Sequence, residues 1–195
     1  INGVKFINYP ENILVLYQAE ERNYIIQYAA LLDNKALLMG KPVALDSVKS
    51  SWFGSNQRFF KTTYSPDKSM IMVYGLGRKN MSTTLLSDQL QVIHHEEHEF
   101  TNNDEGEINQ ALLDNEGRFY FTMTNVSGSK SYTNSFQLFQ LSQDGKQLSH
   151  HALGGSELFY SGMHSKINAN NNLIYTAGFY ADKKNGNLQG VTYTE

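Results

Sequence analysis

Hydrophobic and polar residues alternate in short runs along the whole chain. In residues 118–124, for example, Phe119, Phe121 and Met123 alternate with more polar positions. A period of two places successive side chains on opposite faces of a β-strand. Residues 24–38 are rich in Leu and Ala and form the one candidate helix, but the neighbouring segments repeat as strands. We therefore predict a strand there as well, and an all-β fold.

A polar turn directly before an apolar strand recurs along the chain with a spacing of about 50 to 57 residues. Asn, Asp, Gly and Pro supply much of these turns, as expected from their turn conformations. Repeats of this period are typical of β-propellers and other stacked β-arrays. The four occurrences are turn 10–12 before strand 13–17, turn 65–68 before strand 70–74, turn 114–117 before strand 118–122, and turn 170–172 before strand 173–177.

Each repeat divides into as many as four short strands joined by tight turns, which is a hairpin signal. The repeats cover about residues 1–50, 51–100, 101–155 and 156–195 of a single domain, and the last repeat lacks its fourth strand. In the first repeat the pattern predicts strands 4–8, 13–19, 24–32 and 36–45.

The predicted fold is a β-propeller of four-stranded antiparallel blades, with about 3.5 to 4 blades in this chain. The abrupt ends at Ile1 and Glu195 favour part of a larger ring of about six to eight blades, and an open arc would expose sheet faces and edges. The alternative is a four-bladed propeller whose last blade is completed by the N-terminal strand. The chain begins with Ile1 rather than Met, so we expect a processed chain, a trimmed chain or an excerpt.

Composition narrows the class of protein. The 195 residues are enough to bury the core of one domain. With 16 basic and 19 acidic residues the net charge is −3, which argues against a nucleic-acid partner. The absence of cysteine excludes disulfides, thiolate metal sites and a Cys nucleophile. No apolar run approaches the length of a transmembrane helix.

Two segments carry a family resemblance. Residues 64–74, YSPDKSMIMVY, and residues 112–120, LLDNEGRFY, resemble blade-initiating segments of bacterial WD40-like propellers, which carry an SPDGK turn before an apolar strand. Residues 173–180, followed by Gly190 and Val191, are similar to a blade pattern of uncharacterised Bacteroidetes propellers. The chain departs from the pattern at Ser69 and at residues 10–12.

The resemblance spans most of the chain and concerns fold more than chemistry. It implies a secreted, periplasmic or outer-membrane-associated binding or scaffold protein. It implies no catalytic residues.

The densest group of ionisable side chains lies in residues 94–99, HHEEHE. His94, Glu97 and His98 have the order of one metalloprotease motif, but that motif requires a helix. On a strand, His94, Glu96 and His98 would share one face and could bind zinc. The alternative is a solvated outer strand whose charges discourage edge-to-edge pairing. The acidic run 102–107 is only loosely like a calcium loop, because it lacks the ligand spacing.

A propeller opens its second-to-third-strand loops and its inter-blade loops on one face. Loops held by a rigid scaffold often carry binding residues, and Trp and Arg are frequent interface anchors. The alternative is that these lysines are only the usual residues of exposed hairpin turns, and that Trp52 fills the junction between two blades. The candidate ligand-binding residues on this loop face are Arg22, Trp52, Arg58, Arg78, Lys79, Lys130, Tyr132 and Lys183.

Three functional hypotheses follow. We favour a non-enzymatic binding or scaffold propeller that binds a protein or glycan partner on the loop face. The second is a propeller-scaffold hydrolase or lyase with a metal or acid/base site. The third is a purely structural module of a larger cell-envelope assembly. No cofactor is expected under the first, whereas zinc or calcium is open under the second.

Overall fold

The computed structural model describes residues 1–49, 60–77, 80–100, 107–124, 133, 136–153, 157–184 and 186–195. These parts of the chain form fifteen β-strands and no helix. The strands form four antiparallel sheets, and within each sheet the strands follow chain order. The predicted all-β fold class is confirmed.

Three sheets have four strands and the fourth has three. Sheet 1 contains β1 (Asn2–Asn8), β2 (Asn12–Glu21), β3 (Tyr24–Asp33) and β4 (Val43–Lys49). Sheet 2 contains β5 (Phe60–Tyr64), β6 (Met70–Leu76), β7 (Asn80–Ser87) and β8 (Val92–Glu99). Sheet 3 contains β9 (Glu107–Leu113), β10 (Phe119–Thr124), β11 (Phe136–Leu141) and β12 (Leu148–Ala152). Sheet 4 contains β13 (Phe159–Ile167), β14 (Ile174–Ala181) and β15 (Gly190–Thr194).

The first repeat contains one confirmed strand and one correction. Strand β3 confirms the strand predicted over residues 24–32. The fourth strand predicted over residues 36–45 is interrupted rather than continuous, because Leu38 forms only an isolated antiparallel bridge to Leu32 and β4 begins at Val43. Pro42 has no backbone N–H to donate to a sheet, and Gly40 has a φ of +120° that is foreign to a strand. These two residues interrupt the pairing with β3 between the Leu38 bridge and β4.

Six short turns among the described residues share one geometry. In each, the side chain of the first residue accepts a hydrogen bond from a backbone N–H two or five residues further along the chain, as Asp114 Oδ1 does from Glu116 N at 2.9 Å. Each turn also contains a residue of positive φ, for example Gly117. The first residues of the six turns are Asp33, Ser65, Ser87, Asp114, Ser142 and Asn168.

Hydrogen bonds link the turns that follow the first strand of each sheet. They run from Tyr9 Oη to Lys68 O (2.8 Å), from Asp67 N to Asn115 Oδ1 (3.2 Å), and from Asn172 Nδ2 to Glu116 Oε1 (2.7 Å). These four turns therefore lie side by side at one end of the molecule, which we call the turn end. The connections between second and third strands lie at the opposite end, which we call the loop end.

The cores lie between consecutive sheets. Ile71 and Val73 of β6 pack in a cluster with sheet 1, whereas Met72 and Tyr74 pack in a cluster with sheet 3. Both faces of β6 are therefore buried. Sheets 3 and 4 are joined by hydrogen bonds between the Gln110 side chain and the backbone of Ser165. The sheets thus pack in chain order.

Candidate functional site

Two of the predicted loop-face residues, Arg22 and Lys183, are described, and both are exposed. Both lie at the loop end, Arg22 between β2 and β3 and Lys183 between β14 and β15. The other six lie outside the described residues: Trp52, Arg58, Arg78, Lys79, Lys130 and Tyr132. The basic, Trp-bearing loop face therefore stays a prediction.

The position of Arg22 follows from the turn that carries it. Arg22 and Asn23 form the two-residue link of the β2–β3 hairpin, with φ values of 49° and 69°. Two consecutive positive φ values are typical of a type I′ turn, which matches the twist of the flanking strands. The turn directs the Arg22 side chain to solvent at the tip of the hairpin.

His94, Glu96 and His98 share one face of β8, as expected for a strand. Their cross-strand partners on β7 are Leu85, Thr83 and Met81, in that order. All three partners are buried, and Leu85 and Met81 belong to the core between sheets 2 and 3. The three side chains of β8 are therefore half-buried beside that core, while His95 and Glu97 are exposed.

Burial governs the chemistry of the two half-buried histidines. Desolvation lowers the pKa of both His94 and His98, although Glu96 opposes that shift. Both ring nitrogens of His94 and Nε2 of His98 are buried and have no hydrogen-bond partner among the described residues. The neutral imidazole is the favoured form of each ring.

In the described part of the chain, no group of three His, Asp or Glu side chains is arranged to hold a metal ion. Residues 102–106 of the acidic run lie outside the described residues. Binding of zinc or calcium stays a prediction, with His94, Glu96 and His98 as its candidate ligands.

A cavity that was not predicted from the sequence lies at the turn end. Its volume is about 620 Å³. Its walls are residues 63–66 of sheet 2, residues 112–113 of sheet 3, and residues 166–169 with Tyr175 of sheet 4. It is therefore built where the first strands of three consecutive sheets end, at the opposite end of the molecule from Arg22 and Lys183.

The cavity combines an apolar wall with a few polar groups. Leu112 and Ile167 supply aliphatic surface, while Tyr64 and Tyr175 supply rings with hydroxyl groups. Among the described lining residues, Lys166 alone carries a charge, and it is exposed. A mostly apolar concave surface with a small number of polar groups is the usual form of a ligand site.

A second positively charged side chain, that of Lys5, lies beside the cavity. Lys5 Nζ donates a hydrogen bond to Thr62 O at 3.0 Å and lies 5.2 Å from the centre of the Tyr64 ring. Burial lowers the pKa of Lys5. A cation over the ring fixes Tyr64 in place by a cation–π interaction, and Tyr64 nevertheless keeps 41% of its surface exposed.

The cavity escaped sequence analysis because its walls come from segments about 50 residues apart in the chain. A signal was nonetheless present. Each wall segment directly precedes or includes one of the recurring turns.

A larger groove of about 870 Å³ lies between residues 93–96 of β8 and residues 142–147, at the turn between β11 and β12.

No helix that could cross a membrane occurs in the parts of the chain that the structure describes. No protein-family model matches the chain, and no curated protein is significantly similar to it.

Proposed function

We propose that this chain is a β-propeller or part of one, and that it serves as a non-enzymatic binding module for a glycan or a protein partner. The four antiparallel sheets, their packing in chain order and the alignment of their first turns support the propeller arrangement. The WD40-like turn segments support it independently. The extracytoplasmic location that the resemblance implies belongs to the same proposal.

The observation that carries the binding role is the cavity at the turn end. In a propeller, the first strand of each blade lies nearest the central axis, so this cavity would open beside that axis. Tyr64 and Tyr175 contribute aromatic surface, and Lys166 with Asn168 contributes hydrogen-bonding groups. A sugar ring has the matching character, since it combines an apolar C–H face with a rim of hydroxyl groups. We therefore place the ligand at the turn end.

The loop end is the second candidate surface, on the evidence of Arg22 and Lys183. Both side chains are exposed and positively charged, so this face suits an acidic partner. Because the two surfaces lie at opposite ends, variants of one leave the other intact. The location of a bound ligand can therefore be decided by matched substitutions.

The test is a glycan array followed by calorimetry on the best binder. Tyr64→Ala and Lys166→Ala alter the turn end, while Arg22→Ala with Lys183→Ala is the matched control at the loop end. We expect at least about a tenfold loss of affinity in Tyr64→Ala, because stacked aromatic side chains carry much of such binding energy. The loop-end variant should bind as the wild type does.

Two results would contradict this placement. If the loop-end variant alone loses binding, the ligand occupies the predicted loop face. If no glycan binds, the glycan form of the proposal fails, and a panel of defined peptides tested with the same variants examines the protein form.

A further inference from the structure

The first strands of the four sheets carry mostly positive charge. Their charged residues are three lysines and one carboxylate: Lys5, Lys61, Lys166 and Glu107. Each lysine lies within the last four residues of its strand, towards the turn end, whereas Glu107 begins β9 at the loop end. The turn-end half of these strands is therefore positive, although the whole chain has a net charge of −3.

Lys166 brings this positive charge to the wall of the turn-end cavity. It pairs across the sheet with Tyr175, and both residues line the cavity. The Tyr175 ring is held in turn by stacking on Tyr193, with ring centres 5.9 Å apart. No carboxylate of the described residues forms an ion pair with Lys166. One wall of the cavity thus places an ammonium group without an anionic partner beside an aromatic ring.

Lys5 adds a second positive charge next to the wall that sheet 2 supplies. Its Nζ lies 5.2 Å from the centre of the Tyr64 ring and donates a hydrogen bond to Thr62 O. Desolvation by burial lowers the pKa of Lys5. A bound anion would oppose that shift, because a nearby negative charge favours the charged form of an amine. Lys5 therefore supports the binding of an anion at this end of the molecule.

The carboxylates of the neighbouring turns are engaged within those turns. Asp67 Oδ1 accepts hydrogen bonds from Ser65 Oγ, Ser69 N and Ser69 Oγ. Glu116 Oε2 forms an ion pair with Arg118 at 2.7 Å. Neither carboxylate is among the described residues that line the cavity. The positive charge of the cavity wall is therefore not offset by an acidic lining residue.

We propose that the ligand of the turn-end cavity is an acidic glycan, with a carboxylate or sulfate group at Lys166 and the sugar ring beside Tyr175. This inference rests on the proposed binding function and names the class of sugar. A hydrogen bond between an ammonium group and an anion is charge-assisted and stronger than one to a neutral hydroxyl group. An acidic sugar would thus supply the partner that Lys166 lacks among the described residues, whereas a neutral sugar would not.

The first test is a glycan array that carries uronate-bearing, sialylated and sulfated oligosaccharides beside neutral ones. We expect the strongest binders to be acidic. Calorimetry then compares the best of them with its neutral counterpart, made by esterifying the carboxylate or by removing the sulfate. The neutral counterpart should bind at least about tenfold more weakly, because it loses a charge-assisted hydrogen bond. The array also shows whether the anionic group is a carboxylate or a sulfate.

The second test locates the anionic group with substitutions of lysine. Lys166→Gln should weaken binding of the acidic glycan by about tenfold and leave binding of its neutral counterpart nearly unchanged. Lys166→Arg keeps the charge and should keep the preference for the acidic form. Lys49→Gln is the matched control, because Lys49 is an exposed residue of the outer strand β4 in sheet 1. Circular dichroism checks that each variant is folded.

The outcomes separate this inference from the proposed function. A neutral best binder, or an acidic binder that Lys166→Gln does not weaken, would overturn the inference. If Tyr64→Ala still abolishes that binding, the proposed glycan site at the turn end stands without it. If no glycan binds, or if only acidic peptides bind, both the acidic glycan and the glycan form of the proposed function fail.

Discussion

At the residue scale, Asp114 is the most demanding side chain of the turn end. It is fully buried and accepts hydrogen bonds from Glu116 N, Arg118 N, Arg118 Nε and Tyr120 Oη. The carboxylate raises the pKa of Arg118, and burial together with Asp114 raises the pKa of Tyr120 to about 12. A buried charge is tolerated only when it is paired and hydrogen-bonded in this way.

Asp114→Ala should destabilise the fold by about 3 kcal/mol, because it leaves Arg118 Nε and two partly buried backbone N–H groups without their acceptor. Asp33 is the matched control, since it accepts from Lys35 N and Leu37 N in the same kind of turn but is not fully buried. Asp33→Ala should cost about 1 kcal/mol. Urea unfolding measures the free energy of unfolding of both variants. Equal losses of stability would contradict this account of Asp114.

The residue scale also shows where sequence reasoning is strong and where it fails. The turn of Asp114 was recognisable from Asp, Asn and Gly before an apolar run, because those residues form turns by local hydrogen bonds. The burial of Asp114 was not, because it depends on packing between sheets. Likewise, the shared face of His94, Glu96 and His98 follows from strand alternation alone, but their contact with the core of sheets 2 and 3 does not.

At the scale of single elements, the turns determine the sheets. The recurring turn predicts where strands begin, and β2 includes the strand predicted over residues 13–19. The strand predicted over residues 36–45 is interrupted for a local reason, since Pro42 has no backbone N–H to donate within a ladder. The cavity at the turn end could not be predicted from any one segment of the sequence, because three separate strands form its walls.

Substitutions at the positive-φ position of these turns should change the stability of the fold in opposite directions, depending on the residue that is replaced. Ala36 has a φ of 61° and is exposed, whereas Gly145 has a φ of 74° at the equivalent position of the β11–β12 turn. Ala36→Gly should stabilise the fold by about 0.5 to 1 kcal/mol, because the left-handed region costs an L-residue more than glycine loses in entropy.

Gly145→Ala should destabilise it by about 2 kcal/mol, since the new Cβ would also lie 2.5 Å from His94 Nδ1. Thermal unfolding of the two variants measures the difference. Changes of the same sign in both would contradict the assigned turn geometry.

At the scale of the whole molecule, the sheets pack in chain order. That order was predicted only through the repeat, since no single segment encodes which sheet covers which. The packed faces of sheet 2 explain why its β6 is buried on both sides.

Cross-linking of introduced cysteines tests this packing most directly, because the chain has no cysteine of its own. Asn172 and Glu116 touch across the turns of sheets 3 and 4, whereas Glu11 lies in the first turn of sheet 1. With a short bismaleimide, the Glu116→Cys/Asn172→Cys chain should cross-link within one molecule, and the Glu11→Cys/Glu116→Cys chain should not. Cross-linking of sheets 1 and 3 without cross-linking of sheets 3 and 4 would contradict the chain-order packing on which the propeller proposal rests.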